Sequence, residues 1–333
     1  MSSPDSMAWR AAAGVADLWA PDRLAILIFH RVLPEPDPLF PGEMHAARFD
    51  ALMARVARGF NVLTLAQALE RRRLQQLPPR ALVITFDDGY ADNADFALPI
   101  LERHGLKASF FVASGFLDGG RMWNDSAIEI IRGCRERELD ASDLGLGPLP
   151  LGDATQRRRA IDAVLPRLKY SPLAEREQGL AALAKAAGHP ALPDDLMMST
   201  QKLRRLHRAG MEIGGHTRDH PILRVLPDAD AREQIVSGRE RLQDLLQAPV
   251  TSFAYPNGRP GHDYDHRHVA MVREAGFAGA VSTAQGVDDG SSDRFQLPRF
   301  TPWDTGMARW MVRLLLQRVR PAPTEVAAAT AAA

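Results

Sequence analysis

Short apolar runs alternate with amphipathic helical patterns along most of the chain. Runs typical of strands lie at 24–30, 61–65, 81–86, 108–113, 211–215, 251–255, 277–282 and 295–300. The helical patterns between them lie near 46–58, 92–104, 199–209, 229–246 and 265–275. Strands that alternate with helices predict an α/β chain with a mostly parallel sheet, and this many units favours a barrel over an open sheet.

The alternation is interrupted over about 121–198. Three helical patterns follow one another there, with no strand between them, near 125–138, 155–168 and 174–187. We interpret this stretch as a helical insertion on one loop of a barrel that spans 21–320. The flanking segments are predicted to be an N-terminal extension at 1–20 and a disordered, Ala-rich tail at 321–333.

Composition and charge exclude several classes of function. The 333 residues are 45% hydrophobic and 25% charged, which is ordinary for a globular protein. Lys plus Arg and Asp plus Glu number 41 each, so the surplus positive charge of a nucleic-acid-binding protein is missing. No stretch has the ~20 apolar residues of a transmembrane helix. The first residues lack the basic start and apolar run of a signal peptide, so we expect a cytoplasmic location.

Four of the predicted strands end in polar residues that can carry chemistry. His30 ends the first, Asp87 and Asp88 follow the strand at 81–86, His216 follows MEIGG, and Tyr255 ends TSFAY. The carboxyl ends of barrel strands share one face, which is where the active sites of such folds lie. Together these residues predict one site.

Asp87 and Asp88 stand between the strand VITF and Gly89. Adjacent carboxylates repel each other, so the pair implies a nearby cation or a shifted pKa. For a single Asp, a helix N-cap would be the better interpretation, because a helical pattern begins shortly afterwards. Two carboxylates followed by a glycine favour a functional role.

His216 and His220 form a second candidate feature, the HxxxH pair of HTRDH. Imidazoles four residues apart lie on one side of a helical turn and can share a metal, although such pairs also occur by chance on solvated helices. Two imidazoles and one carboxylate leave a position for water, which is the ligand class of a catalytic zinc. Asp88 is then the ligand and Asp87 the free base.

TFDDG (85–89) and HTRDH (216–220), in this order on a βα chain, resemble the motifs of the polysaccharide deacetylases, carbohydrate esterase family 4 with the NodB homology domain. FFVASG (110–115) and RAGMEIGGHT (208–217) are also similar to this family, so the resemblance covers about 24–300. It implies a distorted (β/α) barrel with fewer than eight strands. It also implies a hydrolase that removes acetyl groups from N-acetylated sugars of a polysaccharide or glycan precursor.

The resemblance also assigns roles. Asp87 is implied as the base and a metal-bound water as the nucleophile. The metal ligands are implied to be Asp88, His216 and His220, holding a divalent ion, by preference Zn²⁺ with Co²⁺ or Ni²⁺ as alternatives. The backbone N–H of Tyr255 is implied to stabilise the oxyanion. The expected substrate-binding residues are Trp123, Asn124, Pro256 and Asn257, although Trp123 is as readily explained as covering the core.

The chain departs from the family pattern at two points. Ala254, in FAYPNG (253–258), occupies the position where the family carries an Arg that orients the base, and the late Leu-x-His motif of the general acid is absent. IFHRV resembles a branch of biofilm poly-N-acetylglucosamine deacetylases in which that motif is permuted to the front, which makes His30 the candidate acid. Arg299, at the end of FQLPR, is the candidate for holding Asp87, with a surface or carbonyl-binding Arg as the alternative.

Two other functions stay open from the sequence alone. The missing Arg and late His support a saccharide-binding protein without turnover. A metal-dependent hydrolase of other non-peptide C–N bonds is the second alternative, because related barrels accept cyclic amides and imides. The expected partner is an N-acetylated saccharide, with no nucleic acid and no transmembrane segment, and the oligomeric state is undetermined.

Overall fold

The computed structural model describes residues 22–302 together with 313, 316, 325 and 326. The extension predicted at 1–20 lies outside the described residues, as does the tail predicted at 321–333 except for Glu325 and Val326. The chain divides into two compact units. Among the described residues, the barrel unit comprises 22–34, Met44–Leu117 and the residues from Met198 on, and the helical unit comprises Glu35–Glu43 and Asp118–Met197.

One parallel sheet forms the centre of the barrel unit. Its strands are β1 (Leu24–Phe29), β2 (Asn61–Leu63), β3 (Ala81–Phe86), β4 (Ser109–Val112), β5 (Glu212–Gly215), β6 (Ser252–Ala254), β7 (Gly279–Gln285) and β8 (Leu297–Arg299). Seven of them follow one another in the order β1-β3-β4-β5-β6-β7-β8, and β2 pairs with β3 outside this path. A parallel bridge between Leu27 and Phe300 brings the two ends of the path together. The predicted distorted barrel is confirmed.

The strands are apolar along their length because both of their faces are covered. Every residue of β1 and β3 is buried, as expected for parallel strands with helices on one side and a packed interior on the other. The register pairs Leu24 with Ala81 and Phe29 with Phe86, so β1 and β3 end together. Their aromatic ends continue into the next strand, since the ring of Phe86 stacks on Phe110 at 4.8 Å.

Six α-helices connect these strands within the described residues. They are α1 (Ala46–Gly59), α2 (Leu65–Arg73), α3 (Leu98–Arg103), α4 (Thr200–Arg208), α5 (Asp228–Leu246) and α6 (His266–Glu274). Side chains define their starts: Thr64 and Gln67 form a capping box before α2, and Ser199 caps α4. The helix predicted at 92–104 begins instead as a π-helical turn, Asn93–Ala97, ahead of α3.

The helical unit has its own apolar core. Its helices are Trp123–Gly133, Ala154–Lys169 and Leu173–Ala186, and Cys134, the one cysteine of the sequence, is buried there. The expectation of no strands between these helices was wrong, because Glu138–Asp140 and Pro148–Pro150 pair as an antiparallel ladder. Each is three residues long, too short to produce a visible alternation. No helix of the described ranges has the length and apolar content to span a membrane.

Candidate metal and catalytic site

The predicted site residues lie where β1, β3, β5 and β6 end, with β4 between β3 and β5 in the sheet. His30 follows β1, and the amide N–H of Asp87, just after β3, donates to the carbonyl of Phe29 at 3.0 Å. His216 follows Gly215, which is the last residue of β5 and pairs with Val112 on one side and Phe253 on the other. The parallel direction of these strands therefore places their polar ends on one face, as predicted.

Three side chains form a compact ligand set. Oδ1 of Asp88 lies 3.4 Å from Nε2 of His216 and 3.3 Å from Nε2 of His220. The two imidazole rings are 4.7 Å apart, and one ligand atom from each of the three residues lies within 4.8 Å of the others. Asp88 and His216 are buried and His220 is partly buried, so the set is largely shielded from bulk solvent.

These separations fit a tetrahedral metal. Zinc bonds of about 2.0–2.1 Å at tetrahedral angles place neighbouring ligand atoms ~3.4 Å apart. The two separations from Asp88 Oδ1 have this length, and three protein ligands leave a fourth position free. The chemistry of the set, two imidazoles and one carboxylate, is also that of catalytic zinc. The residues present therefore fit the predicted ion.

Hydrogen bonds to neighbouring residues orient the two imidazole ligands. Nδ1 of His216 donates to the carbonyl oxygen of Ala254 at 2.7 Å, which leaves the lone pair of the neutral ring on Nε2, facing Asp88. The hydroxyl of Thr217 donates to the carbonyl of His216 at 2.5 Å and accepts the amide N–H of His220 at 3.1 Å. Thr217 thus closes the turn that brings both imidazoles to the same point, a role that the HxxxH spacing alone does not reveal.

Several residues of the site have strained backbone. Asp88, Thr217, His220 and Asn257 have φ values of 74°, 62°, 53° and 58°, in the left-handed region that side chains with a Cβ seldom adopt. Gly89 follows with φ 93°. Such conformations persist only where the surroundings enforce them, and they are frequent at functional sites. The HTRDH segment is accordingly a tight turn and not the start of a long helix.

Asp87 is held by Arg299. Nη1 and Nη2 of Arg299 each donate to one oxygen of Asp87 at 2.7 Å, and both side chains are buried. Nε of Arg299 donates to the carbonyl of Ser282 at 2.7 Å, and Nη1 also approaches the hydroxyl of Thr85 at 3.3 Å. The contact predicted between Arg299 and Asp87 is present, and the surface location considered as its alternative is wrong. Neither Thr85 nor Ser282 was predicted from the sequence.

The electrostatics keep the two carboxylates ionised. Burial by itself raises the pKa of Asp87, but the charges of Arg299 and His216 outweigh burial and leave that pKa below its ordinary value. Burial also raises the pKa of Asp88, and His220 and His216 lower it by more. Both groups are therefore anionic at neutral pH, one facing the imidazoles and the other facing a guanidinium.

The protein shifts the pKa values of the two imidazoles in opposite directions. Burial lowers the pKa of His216, but the hydrogen bond to Asp88 and the charge of Asp87 raise it by more, so that it ends above the ordinary value. For His220 burial dominates, and its pKa falls to about 4. His220 is therefore neutral and ready to coordinate at neutral pH.

His30 belongs to the same electrostatic site. Its charge lowers the pKa values of Asp87, Asp88 and His220, while its own side chain is exposed. Its backbone carbonyl accepts a hydrogen bond from the side-chain amide of Asn93 at 2.9 Å. Its imidazole is therefore within electrostatic range of the buried carboxylate pair. Its role as the acid stays a prediction.

Tyr255 lies deeper than the other predicted residues. Its ring is buried and stacks on Tyr264 at 3.9 Å, and its hydroxyl donates to the carbonyl of Phe295. Its backbone N–H donates to the carbonyl of Val281 at 3.3 Å, near the long limit of such bonds, so an oxyanion would have to compete for this donor. The oxyanion role of the amide stays a prediction.

The four predicted substrate-binding residues lie in different places. Pro256 is buried and Asn257 half-buried, on the turn that follows β6. Trp123 and Asn124 are the first residues of a helix in the helical unit, where the guanidinium of Arg176 lies 5.1 Å from the Trp123 ring centre. For all four, contact with a saccharide stays a prediction.

Comparison with known proteins defines the family. The sequence profile described as Polysaccharide deacetylase matches residues 75–137 and 174–280. The Bacillus subtilis (strain 168) protein YxkH, whose name places it with the polysaccharide deacetylases, is 31% identical over 280 residues, which cover 84% of this chain and 71% of YxkH. This chain belongs to the polysaccharide deacetylase family. The resemblance inferred from TFDDG and HTRDH is confirmed, and it supports a deacetylase hydrolase that acts on an acetylated saccharide.

Solved structures share the fold. The deacetylase PplD of Streptococcus pyogenes, solved in complex with acetate, superposes with a TM-score of 0.58 at 16% identity, covering 90% of this chain and 100% of that chain. IcaB from Ammonifex degensii gives 0.56 at 18% identity, covering 90% and 99%. The deacetylase domain of BpsB from Bordetella bronchiseptica gives 0.53 at 18% identity, covering 84% and 95%. At these identities the similarity is one of fold.

Proposed function

We propose that this chain is a metal-dependent hydrolase that removes acetyl groups from N-acetylated sugars of a polysaccharide or glycan precursor. One observation carries the proposal: two adjacent carboxylates at one strand end have separate partners. Asp88 faces two imidazoles, and Asp87 faces Arg299. That division provides a ligand and a free base side by side, which hydrolysis requires and binding of a sugar alone does not.

The ligand set proposed for the cation is Asp88, His216 and His220. Zn²⁺ suits this set best, with Co²⁺ or Ni²⁺ as alternatives. When bound, such a cation acidifies a water molecule and polarises the acetyl carbonyl. The protein contributes the orientation of the ligands, through the contacts of Ala254 and Thr217, and a largely buried environment.

Asp87 is the proposed base. Its carboxylate stays ionised beside Arg299, and each of its oxygens has a second lone pair beyond the one that the guanidinium uses. It can therefore accept a proton from the water that attacks the acetyl carbon. The bidentate contact keeps the carboxylate from rotating away during this transfer.

His30 is the proposed acid. The C–N bond breaks readily only when the sugar nitrogen receives a proton, because an amide anion is a very poor leaving group. The exposed imidazole of His30, close enough to affect the pKa of Asp87 and Asp88, is placed to donate that proton. The products are acetate and a free amine on the saccharide.

The alternative of a saccharide-binding protein without turnover depended on Ala254, where the family carries an Arg, and on the absent late His. Arg299 brings a guanidinium to Asp87 from a different strand, so the base is not left without its partner. This contact favours turnover over binding alone.

The test is acetate release from short N-acetylglucosamine oligomers by metal-stripped protein, with and without added Zn²⁺ or Co²⁺. Acetate should appear only with metal, and Asp87→Asn should reduce its rate by about 10²-fold or more. Asp50→Asn is the matched control, because it removes an exposed carboxylate that pairs with Arg103 and should leave the rate unchanged.

Other results would replace the proposal. Equal acetate release with and without metal would contradict metal dependence. Metal-loaded protein that binds the oligomers but releases no acetate would indicate the saccharide-binding alternative. Turnover of cyclic amides in place of N-acetyl sugars would indicate the other class of C–N hydrolase.

A further inference from the structure

The three residues that follow β1 are each tied to one of two adjacent side chains. Nδ2 of Asn93 donates to the carbonyl oxygen of His30 at 2.9 Å. Oδ2 of Asp92 accepts Nε of Arg31 at 2.7 Å, and Oδ1 accepts the amide N–H of Val32 at 3.1 Å. The segment that follows the TFDDG motif thus holds the backbone at His30 and Val32 and the side chain of Arg31 between them.

The anchors are buried, whereas the group that they support is not. Asp92 is 6% exposed and Asn93 is 0% exposed, but the side chain of His30 is exposed. An exposed imidazole has few packing neighbours, so its position relative to Asp87 depends mainly on where its backbone is held. Small displacements of a reacting group reduce rates strongly, by about 10²-fold for 1 Å.

A local irregularity allows both anchors to reach β1. Consecutive side chains on an α-helix diverge by about 100°, so that neighbours do not normally serve the same target. Here Asp92 precedes the π-helical turn Asn93–Ala97, and Nδ2 of Asn93 also donates to Oδ1 of Asp92 at 3.1 Å. Single π-helical turns are found frequently at functional sites.

The side chain of Asn93 stabilises the fold less than an apolar side chain would. Its Oδ1 is buried and has no hydrogen-bond partner among the described residues. A buried acceptor without a partner destabilises the fold, so a side chain that served only packing would be apolar here. The amide at this position is better explained by the hydrogen bond that its Nδ2 donates to the carbonyl of His30.

We propose that Asn93 and Asp92 are positioning residues for deacetylation. They hold the backbone of His30 so that its imidazole reaches the leaving nitrogen of the substrate. The inference rests on the proposed role of His30 as the general acid. Neither residue touches the reacting atoms, and both act only through His30.

The test compares two substrates that differ in their need for an acid. N-acetylglucosamine oligomers release an amine that must be protonated, whereas 4-nitrophenyl acetate releases a phenolate that leaves without a proton. Asn93→Ala should lower kcat on the oligomers by about 10–10²-fold, with KM little changed. Turnover of the ester should stay at the wild-type level. Asp92→Asn, which keeps an acceptor for Val32 but loses the charge facing Arg31, should show the same selectivity with a smaller loss.

A double-mutant cycle then isolates the dependence on His30. Because Asn93 acts through His30, adding Asn93→Ala to His30→Ala should reduce the rate on the oligomers no further. Asn61→Ala is the matched control, since it removes another side-chain amide that donates to a backbone carbonyl, that of Pro79, at the opposite end of the barrel. It should leave both rates unchanged.

Three outcomes would overturn the inference: equal losses on amide and ester, additive losses in the cycle, or loss of the bound metal in Asn93→Ala. A wild-type protein that releases acetate while both anchor variants keep full activity would overturn the inference and leave the proposed function intact. A wild-type protein that releases no acetate would remove the proposed function itself, and the inference with it.

Discussion

Arg299 and Asp87 meet through two parallel hydrogen bonds of 2.7 Å each, although they lie 212 positions apart in the chain. The planar guanidinium matches the two carboxylate oxygens, so one contact fixes both the position and the plane of Asp87. Arg299 is itself fixed by the carbonyl of Ser282. The side chain of the proposed base, which follows β3, is therefore oriented by a residue of β8, the strand that closes the barrel.

The first prediction concerns the geometry of that pair. Arg299→Lys keeps the positive charge but cannot form the bidentate contact, so Asp87 should stay ionised and lose its fixed plane. We expect kcat/KM for acetate release to fall by about 10²-fold, with metal content unchanged. We also expect the free energy of unfolding to fall by about 1–3 kcal/mol, measured by urea denaturation.

Arg72→Lys is the control for this prediction. Arg72 pairs with the buried Asp288, whose backbone is bonded to Leu24 at the far end of β1 from His30. The control should lose stability to a similar extent and keep its activity. A similar loss of activity in both variants would mean that reduced stability, and not the orientation of Asp87, explains the effect.

The second prediction concerns stabilisation by metal. A cation that binds only the folded state adds about 2.7 kcal/mol to the free energy of unfolding when its concentration is 100 times Kd. Zn²⁺ should therefore raise the melting temperature of the wild type, and His220→Ala should abolish this shift. His104→Ala is the control, because His104 contacts the carboxylate of Asp50 outside the proposed site and its removal should leave the shift intact. A full zinc shift in His220→Ala would rule out the proposed ligand set.

The third prediction is the pH dependence of metal binding. The pKa of His216 is raised, because the hydrogen bond to Asp88 and the charge of Asp87 outweigh its burial, whereas burial lowers the pKa of His220 to about 4. Below its pKa, His216 carries a proton that a metal must displace, whereas His220 is already neutral. Zinc affinity should therefore fall with falling pH, by up to about tenfold per unit.

Calorimetry in two buffers of different ionisation enthalpy measures this exchange directly. Zinc binding should release about one proton at pH 6, because His216 is then protonated in the metal-free protein. A proton count of zero at pH 6 would show that His216 does not carry the proton assigned to it.

The candidate ligands could be found in the sequence because Asp88 and His216 follow apolar strands and His220 lies four residues after His216. TFDDG and HTRDH place Asp88, His216 and His220 within short segments, and the parallel strand order does the rest. The turn itself could not be foreseen, since it depends on the positive φ of Thr217 and on the contacts of its hydroxyl.

Contacts that depend on closure of the barrel were harder to predict. The bridge between Leu27 and Phe300 places β8 beside β1, and β1 pairs with β3, the strand that Asp87 follows. Arg299 on β8 therefore reaches Asp87 across β1. No local pattern distinguishes such an Arg from one on the surface. The hydrogen bond from Asn93 to His30 could not be predicted from the sequence either, because polar residues at the start of a helical pattern are expected to be helix caps.

The last prediction uses two glycines with positive φ. Gly89 has φ 93°, and a Cβ there would lie 2.9 Å from Cγ1 of Val112. Gly105 has φ 64°, with no atom within 4 Å of the same position. Gly105→Ala should therefore cost only the backbone strain, about 1 kcal/mol in the free energy of unfolding. Gly89→Ala adds overpacking to that strain and should cost about 1–3 kcal/mol more.

The two substitutions should also differ in function. Gly89 directly follows Asp88, so the backbone shift that relieves the contact with Val112 moves a proposed ligand. We expect Gly89→Ala to weaken zinc binding, measured by competition with a chelating dye, and Gly105→Ala to leave it unchanged. Equal zinc affinities would show that the ligand set tolerates movement of this turn, and that Gly89 is required only for the stability of the barrel.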